Sequence, residues 1–131
     1  MLINSTDKNE KIVIGLLSYT FTDTTPSIEE IKEIIDEYRL SEHKKIYLYK
    51  DADTDNFIGL LAVEMVTNDE QLEPVTINVE RLALIPSFRE DGYGYQMFEA
   101  LKEKYPNSTI IGTMGTVDLI TEWTRQYNQD Y

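Results

Sequence analysis

The chain has 131 residues, 41% hydrophobic and 27% charged, which suits one domain with its own core and argues against a disordered polypeptide. The absence of cysteine removes disulfides, thiolate chemistry and cysteine-bound zinc, and a single histidine, His43, gives no basis for a histidine-rich metal site, so no metal is expected. Twelve basic against twenty-four acidic residues leave a formal net charge of -12, which repels a phosphate backbone and removes nucleic acid as an expected partner.

The same field attracts cationic ligands such as amines, although a solubility surface accounts for it more simply. The longest apolar runs, such as residues 58–63 interrupted at Gly59, are too short to cross a bilayer. Residues 1–11 turn polar after Ile3, with no basic region ahead of an apolar one, so no export signal and no membrane partner are expected and a cytoplasmic location is. Neither an internal repeat nor a Gly/Ser- or Pro-rich linker divides the chain, and residues 1–131 are expected to form a single domain.

In chain order, residues 1–4 suit a short strand. Residues 11–19 are ambiguous: Ile12, Val13, Leu16 and Leu17 fit a helical stripe, yet the run is β-branched enough for a strand. Pro26 and Ser27 followed by Glu30 make a capping-box start for a helix with Ile28, Ile31, Ile34, Ile35 and Tyr38 on one face. Residues 46–49 alternate weakly as a strand, and the polar turn 51–56 leads to a second strand at 57–66, making a hairpin. The aspartates of that turn lack the glycine and closing glutamate of a calcium loop, so calcium is not expected. After an acidic loop at 68–73, Pro74 precedes an extended run, 75–85, that ends at Pro86. Residues 92–105 carry Met97, Phe98, Leu101 and Tyr105 at helical spacing, stopped by Pro106. A short strand at 109–114 follows, then a helix capped by Thr116, with Asp118 in its first turn and Val117, Ile120, Trp123 and Tyr127 along one side. This order predicts an α/β fold with a mixed, mostly antiparallel sheet flanked by helices.

The segment that carries chemistry is 79–94, where a strand ends at Pro86 and a loop containing Arg89, Gly92 and Gly94 opens a helix. Such a loop leaves successive backbone N–H groups unpaired at the positive end of a helix dipole, where a pyrophosphate can satisfy several at once. Glycine admits close approach of the phosphates, and Arg89 adds a charge-assisted contact. A glycine pair before a helix also serves merely to pack that helix on a sheet.

The pattern Leu82-x-Leu84-x-Pro86-x-x-Arg89-x-x-Gly92-x-Gly94 resembles the acetyl-CoA signature of the GCN5-related N-acetyltransferase (GNAT) superfamily, and the flanking elements fall in that fold's order. The chain is most similar to the short acetyltransferases encoded beside riboflavin-biosynthesis genes in some bacteria, through Gly15-Leu16-Leu17-Ser18-Tyr19 and the missing final hairpin strands. The resemblance implies a GNAT-like acyl-CoA N-acyltransferase fold truncated at its C-terminus, with residues 11–19 as a helix. It also implies that backbone groups of Leu82, Ala83 and Leu84 line the pantetheine and acetyl group of acetyl-CoA. On it, Arg89, Glu90, Asp91, Gly92, Tyr93, Gly94 and Tyr95 hold the pyrophosphate. The expected partners are acetyl-CoA and an amine, of a small molecule or a protein, with a homodimer left open.

Direct transfer of an acyl group needs a base for the ammonium. Glu80, expected on the same side of its strand as Leu82, is the candidate, with Glu64 on the preceding strand behind it; pairing with a lysine accounts for Glu80 equally well. His43, in a polar loop, is a poorer one. Many GNAT members have an asparagine early in the last helix and a tyrosine that protonates the departing thiolate, but here Val117 and Thr124 take those positions. Tyr127, one turn on, is the candidate substitute, its ring equally explained by packing on the Trp123 face. Glu90 and Asp91 depart from the usual neutral or basic loop and each opposes a diphosphate by on the order of 1 kcal/mol. The leading expectation is an acetyl-CoA-dependent N-acetyltransferase; the alternative is a degenerate fold acting as a CoA-binding or protein-binding regulatory module. A nucleotide site is disfavoured, since no Walker lysine follows the glycines and the dinucleotide fingerprint lacks a glycine.

Overall fold

In a computed structural model describing residues 1–21, 24–68 and 73–131, the strands β1 (Leu2–Asn4), β2 (Lys44–Lys50), β3 (Phe57–Val66), β4 (Thr76–Leu84) and β5 (Thr109–Gly112) form one sheet whose spatial order follows the chain. Neighbours run antiparallel except β4 and β5, which are parallel and therefore joined by a crossover helix. The helices are α1 (Glu10–Ser18), α2 (Ile28–Leu40), α3 (Tyr93–Lys104), which makes that crossover, and α4 (Val117–Asp130). The mixed, mostly antiparallel sheet flanked by helices is thus as expected. Among the described residues no helix is long and apolar enough to cross a membrane.

Each face of the sheet carries its own core. Val13, Leu16 and Leu17 of α1 and Ile31, Ile35 and Tyr38 of α2 pack on Ile46, Leu48, Leu60 and Ala62. On the other face Met97, Phe98 and Leu101 of α3 and Ile120 of α4 pack on Tyr47, Leu61, Val63, Ile77, Val79 and Ile110. Because both faces of β2 and β3 are covered, their apolar residues run consecutively, which is why residues 46–49 alternate only weakly in the sequence. The ambiguous run 11–19 resolves as helix through Ser18, because Val13, Leu16 and Leu17 bury one face while Ile12 stays exposed.

Local signals mostly act as expected. Ser27 Oγ accepts from the Glu30 N–H at the start of α2. In the 51–56 turn the buried Asp51 carboxylate accepts from the Asp53 N–H and the Thr54 hydroxyl, so it is consumed by the turn itself. The acidic loop expected at 68–73 lies largely outside the described residues.

Two expectations are corrected. Thr116 precedes α4 without capping it; its buried hydroxyl instead donates to the Val79 carbonyl at 2.6 Å and accepts from the Thr113 N–H at 3.0 Å. The run 75–85 is not a regular strand either: Val63 pairs with Val79 and Ala62 with Arg81, leaving Glu80 as the extra residue of a bulge.

Candidate active site

Strands β4 and β5 are paired only over Thr76–Val79 and Thr109–Gly112. Beyond Val79, β4 continues to Leu84 held by β3 alone, so its other edge has no strand partner. The point of divergence is closed by hydroxyls: Thr116 donates to the Val79 carbonyl, and Thr113 Oγ1 lies 3.3 Å from the same oxygen and 3.4 Å from that of Glu80.

A hollow of about 500 Å³ opens on the α4 side of that free edge. Leu82, Ala83 and Leu84 form one wall, Arg89, Gly92, Gly94 and Tyr95 the floor, and Leu119, Trp123 and Gln126 of α4 the opposite wall. The floor is the N-terminus of α3, where Gly92 adopts a left-handed conformation, φ +83°, with no side-chain cap. The first helical bond there runs from the Gln96 N–H to the Gly92 carbonyl, which leaves the N–H groups of Tyr93, Gly94 and Tyr95 ahead of it without an intrahelical acceptor. Arg89 is braced over the hollow by a 3.1 Å bond from Nε to the Leu84 carbonyl and by its guanidinium lying 5.4 Å from the Tyr19 ring centroid.

Of the ten residues expected to contact the cofactor, Leu82, Ala83, Leu84, Arg89, Gly92, Gly94 and Tyr95 come together on this hollow. Glu90, Asp91 and Tyr93 are not part of its wall; the two carboxylates are exposed and Tyr93 packs edge-on against Phe88 at 5.0 Å. The glycines have structural reasons as well. Gly92 supplies the positive φ, and a Cβ on Gly94 would stand 2.6 Å from Cζ2 of Trp123.

A second hollow, about 600 Å³, lies on the α1–α2 side and shares Tyr19 and Leu82 with the first. Glu80 enters it, accepting a 2.5 Å bond from the Tyr38 hydroxyl and lying 3.4 Å from Lys44 Nζ, which also bonds Glu37 at 3.0 Å. Burial, followed by the hydrogen bond to Glu80, pushes the Tyr38 phenol well above its ordinary range, and the bond to Glu37 raises the Lys44 ammonium. The bulge reverses the expected sidedness of Glu80: Leu82 packs against the α3–α4 core, whereas Glu80 meets Tyr38 on the α2 side.

Other candidates fall elsewhere. Tyr127 is not in the wall of either hollow; its ring packs against Phe98 at 6.1 Å and stacks on Tyr131 at 4.4 Å, in keeping with the packing reading of this residue. The Thr124 hydroxyl is committed to the Ile120 carbonyl at 2.7 Å. Glu64 accepts from Asn78 and, with His43, lines a separate small depression. Sequence reasoning missed Tyr19, the one described tyrosine lining both hollows, and Arg81 in the wall of the second; the signal for Tyr19 was its place at the end of the Gly15-Leu16-Leu17-Ser18-Tyr19 segment.

No protein-family model matches the chain. It is 29% identical over 120 residues, 92% of each chain, to an uncharacterised N-acetyltransferase of Bacillus methanolicus encoded in the lysA 3′ region. Its structure superposes on a GNAT family acetyltransferase of Staphylococcus aureus with a TM-score of 0.65 at 15% identity, over 86% of this chain and 83% of that one. The aminoglycoside N-acetyltransferase AAC(6′)-Iy in complex with CoA superposes with a TM-score of 0.67 at 15% identity, over 97% of this chain and 84% of that one. The sequence likeness is thus to an N-acetyltransferase, and the fold of this chain is the GNAT acetyltransferase fold.

Proposed function

We propose that the chain works as a single acyltransferase domain that binds acetyl-CoA in the first hollow and transfers the acetyl group directly to an amine in the second. One observation carries this reading: the two hollows meet at Tyr19 and at Leu82, which lies on the one stretch of β4 whose outer edge has no strand partner. The CoA complex of AAC(6′)-Iy and the name of the Bacillus methanolicus relative support it. The diphosphate would meet the free N–H groups at the start of α3 and the Arg89 guanidinium, and the pantetheine arm the edge of β4. Glu90 and Asp91, outside the wall, oppose it through screened solvent only.

In the transfer, the Glu80 carboxylate takes a proton from the acceptor ammonium. The freed amine nitrogen bonds to the thioester carbonyl carbon and the C–S bond breaks; the nitrogen then loses its second proton to solvent, while the departing thiolate takes up a proton. The Tyr19 phenol, at the junction, is the hydroxyl best placed to give that proton. The finer likeness to the acetyltransferases encoded beside riboflavin-biosynthesis genes, and with it a bacterial cytoplasmic setting, belongs to this proposal through Gly15-Leu16-Leu17-Ser18-Tyr19. Calorimetric titration with acetyl-CoA, followed by thiol release over a panel of amines, tests it. No heat at millimolar acetyl-CoA with the fold intact overturns the reading, and binding without turnover on any amine or peptide favours the regulatory module instead.

A further inference from the structure

The bulge in β4 gives the second hollow a feature that a regular strand would not. Successive strand side chains point to opposite faces, but with Glu80 unpaired both it and Arg81 face the α1–α2 side. Glu80 reaches Tyr38 and Lys44, while Arg81 reaches the segment after α1, donating from Nη1 to Thr20 Oγ1 at 3.0 Å and lying 5.0 Å from the Phe21 ring centroid. A negative and a positive group thus stand on adjacent residues in the wall of one cavity.

Arg81 is half-buried, and among the described residues no carboxylate lies within ion-pair distance of it. A guanidinium has five N–H donors, of which the described residues engage only that to Thr20. In a chain with twice as many acidic as basic residues, a cation with no carboxylate beside it among the described residues of its cavity carries a desolvation cost that a bound anion would offset. Lys44 in the same wall is treated differently, held between Glu37 and Glu80. Two carboxylates and two cations make the cavity formally neutral, which matches a zwitterion, and Arg81 disfavours an acceptor carrying only positive charge.

We propose that the second hollow takes an amine that also carries a carboxylate, an amino acid or a close analogue, with Arg81 binding the carboxylate beside the Glu80 carboxylate that receives the ammonium. This rests on the acyltransferase reading of the site and names its substrate class. The flat, forked guanidinium suits a carboxylate bidentately, whereas a carboxamide offers it one neutral oxygen.

The test measures thiol release from acetyl-CoA with free amino acids, each paired with its own carboxamide. For the preferred side chain, the acid should exceed the amide in kcat/KM by about tenfold or more. Arg81→Gln should bring that ratio close to one, and Arg81→Lys should keep part of it; acetyl-CoA titration of each variant verifies that it is folded. Equal kcat/KM for acid and amide in the unaltered protein, or a ratio unchanged in R81Q, overturns the proposal while leaving the acyltransferase reading intact. Thiol release from simple amines but from no amino acid does the same. Absence of acetyl-CoA binding overturns both.

Discussion

Trp123 of α4 lies across the first turn of α3 so closely that only a glycine at position 94 fits beneath it, a Cβ there standing 2.6 Å from Cζ2 and 3.1 Å from Cη2. Both residues line the first hollow, so a methyl group on Gly94 displaces the indole that walls the proposed cofactor site. Gly94→Ala should cost about 1–3 kcal/mol of stability by thermal melting. It should also weaken acetyl-CoA binding about tenfold by calorimetry. Trp123→Ala should remove most of the strain, so that in a double-mutant cycle G94A costs far less in the W123A background. Equal costs in both backgrounds would show that the indole is not what the glycine accommodates.

Gly92 presents the contrasting case, since nothing lies within 4 Å of a Cβ placed there but its φ is +83°. Gly92→Ala should cost about 1 kcal/mol from backbone strain alone, and no second substitution should relieve it. Arg89→Gln removes a charge from the same floor. It should weaken acetyl-CoA binding about tenfold or more and flatten the dependence of affinity on salt, because a screened charge contact is what has been deleted. Salt dependence identical to that of the unaltered protein would remove Arg89 from the diphosphate site.

The proposed division of labour between binding and transfer predicts separable variants. Glu80→Gln should lower kcat by about a hundredfold or more while leaving acetyl-CoA affinity within about twofold, since Glu80 lies in the second hollow and not the first. Tyr19→Phe should lower kcat, with the loss greatest at high pH where solvent protonates the thiolate least readily. Tyr127→Phe should leave turnover nearly unchanged, its ring being held by Phe98 and Tyr131 outside both hollows. A large kcat loss in Y127F with Y19F near normal would restore the donor to α4.

Some of this was legible in residue order because it depends on short-range chemistry. The capping serine and the Ile31, Ile35, Tyr38 stripe predict α2 closely, and the Pro86-to-Gly94 segment locates the floor of the first hollow. What could not be read depends on pairing between distant segments. Counting alternation along residues 75–85 places Glu80 on the side of Leu82, but the register with β3 decides otherwise. Val79 lies opposite Val63 and Arg81 opposite Ala62, so Glu80 is left without a partner and turns with Arg81 to the other face. Tyr19 was equally hidden, because a tyrosine at a helix end acquires its place only when Arg89, distant in sequence, stacks on it. Thr116 was misread because its hydroxyl has two uses, and the Val79 carbonyl at the strand divergence competes successfully with the helix end.

Alkaline pH should unfold the protein through its buried phenols. Burial raises Tyr38, Tyr47 and Tyr49 above the ordinary tyrosine value; the hydrogen bond to Glu80 adds to the effect at Tyr38, and the contact with the Tyr105 hydroxyl adds to it at Tyr47. In the unfolded chain these groups ionise near pH ~10. A folded value above the unfolded one means that the native state holds its protons more tightly. The corresponding stability is therefore complete below about pH 10 and is lost progressively as pH rises beyond it. The raised Lys44 acts in the same direction. Absorbance titration should accordingly show exposed tyrosines ionising first and a later group ionising together with loss of the circular dichroism signal. Tyr38→Phe should remove one phenol from that later group. Ionisation of all nine tyrosines in a single step near pH ~10, with the native dichroism retained, would contradict the burial of Tyr38 and Tyr47 against the sheet.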